Sequence, residues 1–599
     1  MAGVAQVNGG RSGGGGLSLR AGLLLALAAG LPAAALAKTP VEITGPVRNG
    51  LRADLREALP DRDPPETAFD ARRIADEAAR RIRTLLRAQG HYAAQIDASV
   101  VEDGLKPVVS VDPGPVYAFA PPQYEVTGPH APLPEGAQQA VRAALAPLAP
   151  GEPARAALVL AAEGAAVAAL KGRGYPHAAA DERLAVVDHA ARTMSLTFRL
   201  RPGDQVRLGA VQAADGRSIR RSYLDNLQDW RRGAPYDPEE LLTLRRDVAG
   251  NGAFAAVGVA LAKEANADGS TDVVLTVEPE QPYQLSLGAS YSTTEGGGGT
   301  AGFLFRNITR RADTLDLLLV AAEQQQSLTA TWRRPNALGR GRTLALLGQA
   351  IREDVLPFTR QGLRVAAAFE PRSDVRLARS FGGEVSADRF TDAAGVANAL
   401  VLSLFGAVRY DTTGDQLDPR NGVVLEAREE PSLSTGEATV LFSRTTASAS
   451  GYWTLGSPLF TLAARFGVGW VQPIIGASER LPLNRLFYAG GGGSVRGYRF
   501  RSIFPSAGLG QETPPGGQGL LESAVEGRFR FTGKLGAALF VDSGAAFNAI
   551  GRIQPVYGVG AGLRYDLGFG PLRIDLATPL SDAPGAPAVA FYFSLGQAF

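Results

Sequence analysis

Cysteine is absent from the 599-residue chain, which excludes disulfide frameworks, thiolate zinc sites and cysteine nucleophiles together. Histidine is scarce. His91, His130, His177 and His189 all fall in the first third, so a histidine metal site or a Ser-His hydrolase has little to draw on. No excess charge of one sign exists, with 61 Lys+Arg against 59 Asp+Glu, and that removes the electrostatic support for a nucleic-acid partner. Long apolar runs are missing as well: past residue 37 none reaches the ~18 residues of a helical membrane span. Gly297-Gly298-Gly299-Thr300-Ala301-Gly302 fits G-x-G-x-x-G, but its flanks read as strands rather than as the start of a helix. Ser494 lies in no G-x-S-x-G elbow. The expectation is a protein that is not an enzyme and that holds no cofactor or metal.

Glycine, by contrast, is abundant. With 72 Gly and 39 Pro, these two types make up about 19% of the chain, above average usage but below the level of low-complexity sequence. Residues 1–37 read as a secretory signal peptide. Arg11 and Arg20 supply the positive region, Ala21 to Leu31 the apolar core, and Ala35-Leu36-Ala37 the small-x-small cleavage site.

Three repeats follow. Glu42-Ile43-Thr44-Gly45-Pro46 recurs as Glu125-Val126-Thr127-Gly128-Pro129, and Gly90, Gly174 and Gly252 lead equivalent segments 84 and 78 residues apart. Each unit closes on an apolar strand ending at proline: Val109 to Pro113, Leu196 to Pro202 and Val273 to Pro279. The order is strand, two helices, then a pair of strands, over residues 38–114, 115–203 and 204–280. In the first unit Ile74, Ala78, Ile82, Leu85 and Leu86 form one helical stripe. Arg72, Arg73, Arg80, Arg81 and Arg83 lie mostly on the other side, as a solvated face or a surface for an acidic partner. The glycine after each second helix fits a C-terminal turn that needs positive φ.

Near residue 281 the period changes from 3.6 to 2. Leu285, Leu287, Ala289 and Tyr291 alternate with Gln284, Ser286, Gly288 and Ser290, and Leu328, Ala330 and Trp332 repeat the pattern. So do Val525 to Phe531, Tyr557 to Tyr565 and the terminal Val589, Phe591, Phe593, Leu595 and Phe599. The runs approach ten residues, and the opposite face is rich in Gly, Ser and paired charges such as Arg573 with Asp575 and Arg564 with Asp566. Both features fit a transmembrane antiparallel β-barrel with a wet lumen over residues 281–599, of roughly sixteen strands at about twenty residues per strand and loop.

Between two of these strands runs Phe487-Tyr488-Ala489-Gly490-Gly491-Gly492-Gly493-Ser494-Val495-Arg496-Gly497-Tyr498. On composition alone this fits an ordinary surface loop. Folded into the lumen, Arg496 needs an anionic partner, and Glu526 and Asp542 share the parity of the polar faces of their strands.

Val495-Arg496-Gly497-Tyr498 resembles the lid-loop motif of the Omp85 superfamily, and Phe540-Val541-Asp542-Ser543-Gly544 is similar to the strand motif that receives the loop arginine. Asp418-Pro419-Arg420-Asn421-Gly422 is similar to the family's Asp-Pro-x-x-Gly hairpin. The three repeats resemble POTRA domains, and three of them before a barrel is the layout of TamA-type members. The resemblance implies a bacterial outer-membrane barrel with periplasmic POTRA domains. It further implies a TamB-like inner-membrane-anchored partner on the POTRA arm, and unfolded β-barrel proteins or autotransporters as clients in contact with outer-membrane lipid. The expected activity is assembly by strand addition at a lateral seam between the first and last strands, at Gly288, Tyr291, Phe593, Leu595 and Phe599. The alternatives are an exporter pore of the two-partner-secretion type and lipid transport between membranes.

Overall fold

The computed structural model describes residues 41–595, apart from 102–104, 130–131, 356, 372–375, 393–394, 416–417, 437, 457–458, 506–515, 533, 568–570 and 582–586. The expected signal peptide and Phe599 lie outside the described residues.

Three α/β modules come first. The first contains β1 (Glu42–Thr44), α1 (Asn49–Glu57), α2 (Ala68–Ala88), β2 (Gln95–Val101) and β3 (Lys106–Asp112). The second contains β4 (Ala118–Phe119), β5 (Gln123–Val126), α3 (Glu135–Leu145), α4 (Ala156–Lys171), β6 (Ala179–Ala180), β7 (Leu184–Asp188) and β8 (Thr193–Arg201). The third contains β9 (Arg207–Ala213), α5 (Arg221–Leu227), α6 (Pro238–Ala249), β10 (Phe254–Leu261) and β11 (Ser270–Pro279). In each, the last strand is central: an early strand lies parallel to it on one side, and a hairpin partner lies antiparallel on the other.

The helices form where the sequence stripes them. On α2, Ile74, Ala78, Ile82 and Leu86 are buried against Val109 and Val111 of β3. Thr67 Oγ1 caps the helix by accepting from the Asp70 N–H at 3.1 Å. The exposed arginines pair largely within the helix: Arg72 with Asp76, Arg73 with Asp70 and Arg81 with Glu77. Gly90, Gly174 and Gly252 all take positive φ after their helices, at 95°, 96° and 67°.

The sixteen-stranded closed barrel that follows is antiparallel throughout, each strand pairing with its chain neighbours. Its first half is β12 (Tyr283–Ser292), β13 (Gly296–Arg306), β14 (Thr314–Ala322), β15 (Gln325–Arg334), β16 (Arg342–Val355), β17 (Phe358–Pro371), β18 (Leu377–Asp392) and β19 (Gly395–Asp411). The second half is β20 (Gly422–Gly436), β21 (Val440–Thr454), β22 (Phe460–Ile475), β23 (Gly519–Thr532), β24 (Leu535–Phe547), β25 (Val556–Asp566), β26 (Pro571–Pro579) and β27 (Ala590–Leu595). The sixteen strands agree with the count expected from the length of this segment, and the first begins at Tyr283. Gly297 to Gly302 form part of β13, so the dinucleotide-like motif is strand.

Alternation divides the two faces. Leu285, Leu287, Leu363, Val365 and Leu404 are exposed on the outer wall, while Glu384, Asp388, Glu430, Glu526 and Asp575 are buried inside. The lumen differs from expectation at the end away from the modules. There Phe358, Phe390, Val401, Phe442 and Val471 point inward and pack against Leu481, Leu483, Leu486 and Phe487 of the long β22–β23 loop. An apolar patch inside a barrel wall is stable because the loop covers it.

The opposite end is docked on the third module. The Arg220 N–H donates to Arg310 O at 2.8 Å, and Asn226 Nδ2 donates to Asn336 O and Ala337 O at 3.0 and 3.1 Å. Tyr223 Oη accepts from Asn251 and Asn336, and burial pushes its phenol pKa up. Arg340, in the β15–β16 turn, is 3% exposed and reaches Glu240, Asp229 and Asp247.

Candidate functional site

The β22–β23 loop enters the lumen and is tied to its wall at two places. At the first, Arg496 is 2% exposed. Its Nε and Nη2 donate to the two carboxylate oxygens of Asp542 on β24 at 2.7 and 2.9 Å, a bidentate pair. Nη1 reaches Glu526 on β23 at 3.0 Å and Asp575 on β26 at 3.4 Å. The guanidinium stacks 3.3 Å above the Phe540 ring, and the Arg496 N–H adds a further bond to Asp542 at 3.1 Å. Glu526 and Asp542 are thus where parity put them. Asp575 is a third partner that the alternation marked as inward-facing without linking it to the loop.

Arg528, Arg564 and Arg573 complete the cluster, setting four guanidinium groups against three carboxylates. Arg573 pairs with Asp575 at 3.0 Å as expected. Arg564 departs from expectation: it pairs with Asp575 and Glu526 rather than with Asp566, because those carboxylates stand across the ladder on its own side of the lumen.

Glycine makes this seat possible. Gly497 has φ +99°, and a Cβ there would lie 3.0 Å from Pro579 N. On β25 a Cβ at Gly558 would meet the Arg496 carbonyl oxygen at 2.0 Å, so the loop backbone passes where a side chain would otherwise stand. Val495 and Tyr498 are fully buried beside them, and Tyr498 Oη accepts from the Ser581 N–H at 3.2 Å.

The second tie escaped the sequence reading. Arg485, upstream in the same loop, reaches Glu384 on β18 at 2.9 Å and Glu430 on β20. Asn484 Nδ2 donates to Asp388 at 3.2 Å, and Arg444 lies 4.4 Å over the Phe487 ring. The only signal in the sequence was a lone arginine after Pro482, which is no signal by itself. The two arginines therefore hold the loop to two separate sectors of the wall, β18/β20 and β23/β24/β26.

The seam lies next to the first tie. Among the described residues, β27 pairs with β12 only at Tyr291–Phe593 and Ser292–Tyr592. By contrast, β12 pairs with β13 at every position from Tyr283–Phe305 to Ser292–Gly296. Of the expected seam residues, Tyr291 and Phe593 do face each other. Gly288 pairs with Thr300 on β13, and in the register of Tyr291–Phe593 its position across the seam falls past Leu595, outside the described residues; Leu595 pairs with Leu572 on its β26 side. Phe599 lies outside the described residues. Among the described residues, closure therefore lies at the end of β12 far from the modules, where the Thr293 N–H also donates to Phe591 O at 3.1 Å.

The loop touches both sides of this seam. The Gly492 N–H donates to Glu295 Oε1, in the β12–β13 turn, at 2.6 Å. The Gly497 N–H donates to Tyr592 Oη, on β27, at 2.9 Å. A loop clamped by Arg496 therefore also braces the two strands whose ladder is shortest among the described residues.

Known proteins share this architecture. Residues 284–599 match the Omp85 superfamily domain. The chain belongs to the Omp85 superfamily. A stretch of 177 residues is 29% identical to the outer membrane protein assembly factor BamA of Neisseria meningitidis serogroup B, covering 24% of this chain. The match spans about a fifth of that relative's length, 22%. The structure of BamA from Haemophilus ducreyi lacking POTRA domains 1-3 aligns with a TM-score of 0.62 at 15% identity, over 80% of this chain and 100% of that one, a likeness of fold. CdiB from Acinetobacter baumannii aligns with a TM-score of 0.47 at 14% identity, over 89% of this chain and 100% of that one. Barrels of the superfamily are outer-membrane proteins, in keeping with the leucine-rich outer wall.

Proposed function

We propose that this chain is a TamA-type assembly factor that inserts β-barrel proteins or autotransporters into the outer membrane, with its three modules in the periplasm. The observation that carries the reading is the bracing of both sides of the β12–β27 seam by the lid loop, at a ladder two positions long among the described residues. In lipid an unpaired backbone polar group costs several kcal/mol, so a client strand gains by pairing with the seam edge of β12 as it enters. Among the described residues, the closure that opening gives up is two ladder positions and the Thr293–Phe591 contact, and a client strand re-pairs the groups so freed. The docked third module keeps the arm close to the strand that starts the barrel, and the exposed arginine face of α2, its charge partly met by Asp70, Asp76 and Glu77, offers a contact to a TamB-like partner with acidic groups. An exporter pore would require the loop, anchored at both Arg485 and Arg496, to leave the lumen altogether.

The test is a Tyr291→Cys/Phe593→Cys variant, made simple by the cysteine-free background. Reconstituted in liposomes, its oxidised form should fail to insert an unfolded outer-membrane barrel, and reduction should restore insertion. A Leu285→Cys/Phe303→Cys variant, which locks β12 to β13 instead, should insert clients whether oxidised or reduced. Full activity of the oxidised seam variant would end the lateral-opening reading.

A further inference from the structure

On the outer wall, well away from the seam, two rows of side chains cross strands β15 to β19. The lower row alternates in size as Leu328, Ala350, Leu363, Ala387 and Leu400, each directly opposite the next in the ladder. The three leucines are half exposed or more, so the alanines between them leave two slots in a lipid-facing surface. One row further from the modules stand Gln326, Arg352, Gln361, Arg389 and Asn398, again in direct register. Each arginine therefore stands two residues along its strand from an alanine: Arg352 above Ala350, Arg389 above Ala387. Together these residues line a concavity of about 1040 Å³.

The arginines are the unusual part. Neighbouring inward arginines on the same strands are neutralised, Arg360 by Glu353 and Asp388, and Arg364 by Glu384. Arg352 and Arg389 make no ion pair among the described residues, and both are exposed. The nearest outward carboxylate on these strands is Asp354, one row beyond Arg352 and opposite Thr359. A second outward concavity, of about 550 Å³ on β23 to β26 and lined by Val525, Leu539, Val541 and Leu576 among others, has no charged side chain in its lining. Hydrocarbon alone covers such a surface. The β15–β19 surface instead pairs two chain-wide slots with two cations and three amides at their head.

We propose that this surface binds a phosphorylated, multiply acylated lipid of the outer leaflet, of the lipid A type. Its acyl chains lie in the slots at Ala350 and Ala387, and its phosphates are held by Arg352 and Arg389. A guanidinium matches a phosphate with two parallel N–H donors, and the amides beside it serve sugar hydroxyl and acyl carbonyl groups. The assignment to the outer leaflet rests on the proposed topology, in which the modules are periplasmic. The role is a fixed lipid contact on the wall remote from the seam, which would keep the barrel seated while the seam side moves.

Binding is measured without reference to client insertion, so a failure here is separable from a failure of the assembly reading. The purified full chain in detergent micelles is titrated with diphosphoryl lipid A, with dephosphorylated lipid A and with phosphatidylethanolamine, and bound lipid is counted by native mass spectrometry. Diphosphoryl lipid A should be retained preferentially. An Arg352→Gln/Arg389→Gln variant should weaken that retention roughly thirtyfold. An Ala350→Leu/Ala387→Leu variant, which fills the slots and keeps both charges, should weaken it as well. Heat-modifiable migration in gels checks that each variant barrel is folded. Equal retention by the parent and both variants, or by diphosphoryl and dephosphorylated lipid, would mean interfacial association only and would overturn the proposal.

Discussion

Replacing Arg496 by alanine isolates the energetics of the lid loop. The change removes a guanidinium that is 2% exposed and in contact with three carboxylates. Two of these keep other cations: Glu526 retains Arg528 and Arg564, and Asp575 retains Arg564 and Arg573. Asp542 does not, since Arg496 is its ion partner among the described residues. Losing one arginine also relieves the excess of four guanidinium groups over three carboxylates. The penalty is therefore concentrated at one carboxylate, and the lower end of the ~3–5 kcal/mol range for breaking a buried pair applies. At about 1.4 kcal/mol per decade, ~3 kcal/mol raises the population of the released loop roughly a hundredfold. The reporter is a single thiol at Val495, which is fully buried when the loop is seated. In the Val495→Cys background, the rate of modification by a water-soluble maleimide should rise about a hundredfold with Arg496→Ala. Adding Asp542→Asn to that variant should slow the reaction again, because the stranded carboxylate is gone. A rate within about threefold of the parent for Arg496→Ala would refute the claim that this arginine holds the loop. A double variant no slower than Arg496→Ala would refute the assignment of the cost to Asp542.

Other perturbations address neighbouring contacts. Gly558→Ala puts a Cβ on the Arg496 carbonyl, so it should release the Val495→Cys thiol by at least tenfold while the barrel stays folded in heat-modifiability gels. Tyr592→Phe deletes one hydroxyl, the acceptor for the Gly497 N–H, and should cost about 1 kcal/mol; spin labels at Leu287→Cys and Ile574→Cys should then report a broader distance distribution across the seam. Arg340→Ala takes one cation from beside Glu240, Asp229 and Asp247, and scattering from the detergent-solubilised chain should show the third module sampling a wider range of angles to the barrel. An unchanged distribution or scattering profile would show that the respective contact does not brace its junction.

A period-2 pattern tells which way a residue faces, and little else. That sufficed for the barrel, whose sixteen strands match the length of chain left for them, and it marked Glu526, Asp542 and Asp575 as inward. It could not pair them, because partners across a ladder depend on register, and register is set by the turns between strands. This is why Arg564 was matched to Asp566 two residues along its own strand, when it pairs with Asp575 across the ladder. The helical modules were more legible because their contacts are local: a stripe on α2 and a glycine at each C-terminal turn are fixed within one turn of helix. The loop was legible only at Arg496, where a motif surrounds the residue. Arg485 does equivalent work on β18 and β20 without one, because its partners Glu384 and Glu430 lie on strands well before it in the chain.

The glycine content follows from the same packing. Where β25 runs under the lid loop, the wall has to be bare for a backbone to pass, and Gly558 leaves it bare. Gly497 lets the loop turn at that point with positive φ while its N–H reaches Tyr592. A larger residue at either position would keep every side-chain partner of Arg496 in place and still move the loop off the seam. The clamp therefore depends on two kinds of residue acting together: charges that supply the hold, and glycines that let the backbone come close enough for the hold to reach β12 and β27. Loss of either kind should loosen the same two strands, and the Arg496→Ala and Gly558→Ala variants should therefore respond alike at Val495 although one removes a charge and the other adds a methyl group.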